Sequence, residues 1–94
     1  MFTHIVFFKL KEKKQTSEAR GILLGMEGNI PQLKILEVGI DVMHTGRSYD
    51  LALITRFDCL EDMETYAVHE YHVNSVLKYL KPMLEDSKIV DFES

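Results

Sequence analysis

Phe2-Thr3-His4-Ile5-Val6-Phe7-Phe8-Lys9-Leu10 is a run of β-branched and aromatic residues with apolar side chains on both parities, Val6 and Phe8 on one, Ile5 and Phe7 on the other. Such a strand is covered on two faces, so the sheet that holds it needs a layer on each side. The same pattern returns at residues 49–57, Tyr-Asp-Leu-Ala-Leu-Ile-Thr-Arg-Phe. Residues 34–43 alternate instead, with Leu36, Val38, Ile40 and Val42 on one face. A short final strand is expected at residues 88–93.

Helical spacing fills the two long gaps. Thr16 or Ser17 can cap a helix carrying Ile22, Leu23, Met26 and Ile30 and stopped by Pro31. Gly21, Gly25 and Gly28 weaken it by up to about 1 kcal/mol each, so its stability comes from docking. Asp58 with Glu61 has the form of a capping box, followed by the stripe Leu60, Met63, Ala67 and Val68. That stripe continues through Val76, Leu77, Leu80 and Leu84, interrupted by Pro82. Residues 44–48 are a loop in which His44 is exposed, and Arg47 with Asp50 reads as a solvated pair.

The order is β-α-β-β-α-β, and no linker or low-complexity tract divides residues 1–94, so one domain is expected. Right-handed crossovers make this an α+β, ferredoxin-like fold: a four-stranded antiparallel sheet with both helices on one face. The other face keeps apolar surface without a helix, and two sheets face to face would cover it. The expected assembly is a homodimer whose barrel-like interior is a natural cavity for a small-molecule ligand.

Composition narrows the function. Of 94 residues 46% are hydrophobic, and the net charge of −4 is spread over interspersed lysines and acids. With no basic face, a nucleic-acid partner is not expected. The apolar runs are far shorter than the roughly 20 residues of a membrane span and no signal-peptide pattern appears, so the expectation is a cytoplasmic protein with no membrane partner. The single cysteine, Cys59, has no partner for a disulfide or zinc motif.

Chemistry concentrates in Thr65-Tyr66-Ala67-Val68-His69-Glu70-Tyr71-His72-Val73, which holds two of the four histidines and two of the four tyrosines. Imidazole and phenol move protons near neutral pH, so beside apolar residues they mark a candidate site. On one continuous helix Tyr66 and His72 diverge by about 120° and would converge only if the helix broke between them. His69-x-x-His72 lacks further ligands on its face, since Glu64 and Glu70 point elsewhere, so no metal is expected.

Thr3-His4-Ile5-Val6-Phe7-Phe8-Lys9, Gly39-Ile40-Asp41, Tyr49-Asp50-Leu51, Phe57, Tyr66, His69-x-x-His72-Val73 and Val90-Asp91-Phe92, in this order and spacing, resemble the stress-responsive dimeric α/β-barrel (Dabb) family. Within it there is a distant resemblance to olivetolic acid cyclase, a plant enzyme that closes an aromatic ring without metal or cofactor. That resemblance implies that His72 and Tyr66 are an acid–base pair and that His4 is a pocket histidine. It also places Leu23 and Leu51 at pocket positions where the cyclase has tyrosine and histidine, implying a different substrate. The expected site is therefore His72 and Tyr66 as catalytic pair, with His4, Phe8, Leu23, Leu51 and His69 as substrate-binding positions and no cofactor.

Three functions fit this reading. The first is a barrel that binds a small apolar or aromatic molecule and performs cofactor-free His/Tyr acid–base chemistry. The second is a non-catalytic, stress-protective or structural module, and the third a cofactor-independent monooxygenase-like enzyme. A filled interior favours the module; an open cavity on which His4, Tyr66 and His72 converge favours the first.

Overall fold

The strand Phe2–Leu10 is β1, an inner strand of a four-stranded antiparallel sheet ordered β2-β3-β1-β4, with β2 at Ile35–Ile40, β3 at Leu51–Phe57 and β4 at Leu84–Glu93. The coordinates are those of a computed structural model that describes residues 1–94. Register follows the apolar pattern: Val6 faces Leu53 and Ile89, and Phe8 faces Leu51 and Ser87. Phe2, Val6, Phe8 and Leu10 of β1, with Val38, Leu51, Leu53 and Phe57, form the sheet side of the core.

Helices cover that face alone. A 3-10 turn, Lys13–Gln15, leads into α1, Thr16–Leu24, which buries Ala19 and Leu23. After β3 comes α2, Leu60–Val68, which buries Tyr66. A second rod follows, wound as a π-helix over His72–Leu77, continuing through Lys78–Leu80 and ending in a 3-10 turn at Lys81–Met83. Val76, Leu80 and Met83 point from it into the core. The result is the ferredoxin-like arrangement, with a four-stranded antiparallel sheet and helices on one side.

Several boundaries differ from those expected. The first helix ends at Leu24 rather than at Pro31, because the bonds Met26 N–H to Leu23 C=O and Glu27 N–H to Leu24 C=O tighten the chain into turns. Gly28 has φ +78°, a left-handed conformation that glycine adopts without strain. Gly25 is needed for proximity, since a Cβ there would lie 2.9 Å from the Tyr71 hydroxyl. Neither expected helix cap forms: Thr16 Oγ1 donates to the Lys13 carbonyl, and Cys59 rather than Asp58 occupies the start of α2, without a side-chain cap bond.

The strands also shift. β2 is shorter than residues 34–43, and β4 begins at Leu84, which was expected in the helical stripe but pairs with Leu10 beyond an irregularity at Lys9/Leu10. Asp50 is not part of a solvated pair with Arg47. Its carboxylate is buried, accepting the Leu10 N–H and the Lys13 ammonium, each at 2.8 Å.

The opposite sheet face is bare and keeps apolar surface, as the apolar residues on both parities of β1 implied. Val38 and Leu36 of β2 turn toward the helices, while Ile5 and Phe7 of β1, Ile35, Ile54, Val90 and Phe92 lie on the uncovered side. Phe7 is 43% exposed and Val90 55%.

Candidate functional site

Between the sheet and the helices lies a cavity of about 310 Å³, lined mainly by apolar residues. His4, Val6 and Phe8 of β1 form its floor, Leu23 comes from α1, and Tyr66 and His72 come from either side of the break after α2. It lies within one protomer, on the helix side of the sheet. The interior between two sheets, where the sequence placed the ligand, would be built from the other parity of β1.

The break decides the site. α2 stops at Val68, and His69 leaves the helix with ψ 139°. In an uninterrupted helix the Tyr71 N–H would bond the Ala67 carbonyl four residues back. Instead it donates to His69 Nδ1 at 3.0 Å, so His69 serves as the N-cap of the next rod. The freed Ala67 carbonyl accepts the His72 Nδ1–H at 2.9 Å. Two side-chain bonds stand in at the break for helical backbone bonds, and the chain turns enough to bring His72 against Tyr66.

Their ring centroids are 4.4 Å apart, with planes inclined by 37°. Because a carbonyl only accepts, the proton of neutral His72 sits on Nδ1 and the lone pair on Nε2. Burial, opposed by the bond to Ala67 and helped by the charges of His4, Lys81 and His69, pushes the His72 pKa below its ordinary value. Its neutral, basic form therefore prevails at pH 7. Burial raises the Tyr66 pKa, keeping the phenol protonated.

Tyr66 is 2% exposed and packs on Phe57 at 5.0 Å and on His4 edge-to-face at 6.3 Å. Its hydroxyl makes no hydrogen bond within the chain, yet the buried side-chain polar atoms without a partner are only Gln32 Oε1 and Arg56 Nε. The hydroxyl thus opens onto the cavity. His4 pairs through Nδ1 with the carboxylate of Asp91, its cross-strand neighbour on β4, which leaves Nε2 as its free nitrogen.

Of the expected site residues, His4, Phe8, Leu23, Tyr66 and His72 share this cavity. Leu51 does not: it sits farther along β3, beside a separate depression with Arg47 and Tyr49. His69 also lies outside, at a polar surface hollow with Asn29, Glu70 and Asn74, because its ring is turned back to cap the rod. Sequence reading missed Lys81, Leu84, Ser87 and Ile89, which also line the cavity. Extending β4 back to Leu84 would have put Ser87 and Ile89 on the face of His4; Lys81, beside Pro82, carried no signal.

Comparison with known proteins gives the same fold. Over 92 residues the chain is 24% identical to a stress-response A/B barrel domain-containing protein of Arabidopsis thaliana, covering 95% of this chain and 35% of that protein. The chain thus spans about a third of the length of the curated relative it matches. A dimeric protein of unknown function with ferredoxin-like fold from Bacteroides fragilis superposes with a TM-score of 0.84 at 30% identity, covering 99% of this chain and 95% of that one. A dimeric ferredoxin-like protein of unknown function from Thermobifida fusca gives 0.85 at 26% identity, covering 99% and 90%. The model of the stress responsive A/B barrel domain matches residues 2–94, and the chain belongs to that family.

Proposed function

We propose that this protein is a homodimeric barrel that binds a small apolar or aromatic carbonyl compound in the cavity of each protomer and moves a proton on it without metal or cofactor. The observation that carries the reading is the Tyr66–His72 pair in an open, mostly apolar cavity, with a base lone pair on Nε2 and an unpartnered hydroxyl beside it. His72 Nε2 would take a proton from the carbon next to the carbonyl, and the Tyr66 hydroxyl would donate to the enolate oxygen that forms. General-base transfer contributes about 10²–10⁴-fold and an oriented donor a comparable factor. His4, held by Asp91, would orient the substrate from the floor. A closed, filled interior would have supported the non-catalytic module instead. The resemblance to olivetolic acid cyclase fits the same chemistry, with Leu23 in the cavity pointing to a different substrate.

The test uses a β-keto ester, ethyl benzoylacetate, in D2O, with deuterium entering its methylene group read by NMR. The wild-type protein is expected to accelerate exchange over buffer. His72→Gln should return it to the buffer rate, and Tyr66→Phe should lower it about 10²-fold. The base must be neutral, so the rate rises with pH through the depressed His72 pKa and is level by pH 7. Equal exchange by wild type and His72→Gln would sink the acid–base assignment.

A further inference from the structure

At the solvent-facing edge of the cavity stands a lysine with no ion-pair partner in the chain. Lys81, in the 3-10 turn between the second rod and β4, lines the cavity wall. The ion pairs of the chain are His4–Asp91, Lys13–Asp50, His44–Asp41 and Lys88–Asp86, so Lys81 has no carboxylate partner. Ser87 of β4, paired with Phe8 of β1 and on the same wall, adds a hydroxyl. The remaining lining is mostly aliphatic and aromatic. We infer that the ligand is an amphiphile, a small carboxylic acid with an apolar tail: its carboxylate sits on Lys81 and Ser87, and its tail runs over Val6, Phe8 and Leu23. This deepens the reading of the Tyr66–His72 cavity and rests on it.

Electrostatics supports the placement. The Lys81 ammonium is near enough to the imidazole to help hold it neutral. Neutral ligands of the same shape would leave that charge without a partner.

Octanoate and octanamide share a tail and differ in the head. Each is titrated into the protein while the 15N and 13C signals of the His72 ring report occupation of the cavity. Octanoate is expected to shift those signals with an affinity about tenfold or more above that of octanamide, the discrimination of one charge-assisted hydrogen bond. Lys81→Met, which keeps the stem and removes the charge, should bring the two to the same affinity, and Lys81→Arg should retain the preference. Equal affinity of acid and amide for the wild type, or a preference that survives Lys81→Met, overturns the inference while leaving the cavity reading intact. If neither compound moves the His72 signals, both fall.

Discussion

Between Val68 and His72 two side-chain hydrogen bonds stand in for helical backbone ones, and that exchange places the base. His69 does not enter the cavity, yet His72 depends on it: with Nδ1 of His69 holding the Tyr71 N–H, the Ala67 carbonyl is free to fix the His72 ring. His69→Ala should let the Tyr71 N–H return to Ala67 and deprive His72 of its acceptor. Loss of the cap is expected to lower stability by about 1 kcal/mol. The telling readout is the His72 tautomer, seen in imidazole 15N shifts, which should move away from the Nδ1–H form in His69→Ala. Asparagine also caps well, so His69→Asn should restore both stability and tautomer. An unchanged His72 tautomer in His69→Ala would mean that the cap does not position the base.

At the level of elements, Asp50 joins the start of β3 to the end of β1 and to the turn before α1. Burial works to raise its pKa, but the bonds from Leu10 N–H and Lys13, with the charges of Lys13 and Lys9, outweigh it and hold the carboxyl below its usual value. The unfolded chain therefore takes up this proton first as pH falls. The contribution is full above an unfolded pKa of about 3.9 and is lost as pH drops through the lower folded value. Asp50→Asn should cost about 1 to 3 kcal/mol at neutral pH, measured by urea unfolding, and the deficit should shrink toward about pH 2. A deficit that stays constant with pH would show that shape, not charge, makes the contact. Element order and strand parity were legible beforehand because alternation ties each side chain to one face, as Val6 and Phe8 against Ile5 and Phe7 show. The helix break was not, because residues 65–73 contain neither glycine nor proline and the bond that stops α2 comes from an imidazole. Leu84 misled for a related reason: its place in the helical stripe of Leu77 and Leu80 hid its pairing with Leu10. Of the cavity lining, His4, Tyr66 and His72 stood out in the sequence because their chemistry contrasts with an apolar background, whereas Lys81 reads as any surface lysine.

At the scale of the molecule the two faces of the sheet have separate tasks. The helix side encloses the cavity; the other side carries Phe7, Ile35, Val90 and Phe92, each more than a third exposed in one protomer. Hydrophobic surface of this extent on a sheet face calls for a second layer, and a second copy of the same face would supply it by two-fold symmetry. Arg56 belongs to this face too, and its buried Nε lacks a partner in the protomer. The expected species at micromolar concentration is a dimer, with mass measured by light scattering or native mass spectrometry. Phe7→Asp tests the face directly. In a lone protomer the aspartate would remain largely hydrated, so the fold should survive with an unchanged far-UV spectrum. In a face-to-face dimer the charge, even with Lys88 across the strand pair, must lose most of its water, which should shift the population to monomer. A Phe7→Asp protein that stays dimeric would place the interface elsewhere, and a monomeric wild type would leave the bare face without its second copy. The cavity would be untouched in either case, because its walls come from the opposite parity of β1 and from the helices, so proton exchange in a Phe7→Asp monomer should persist.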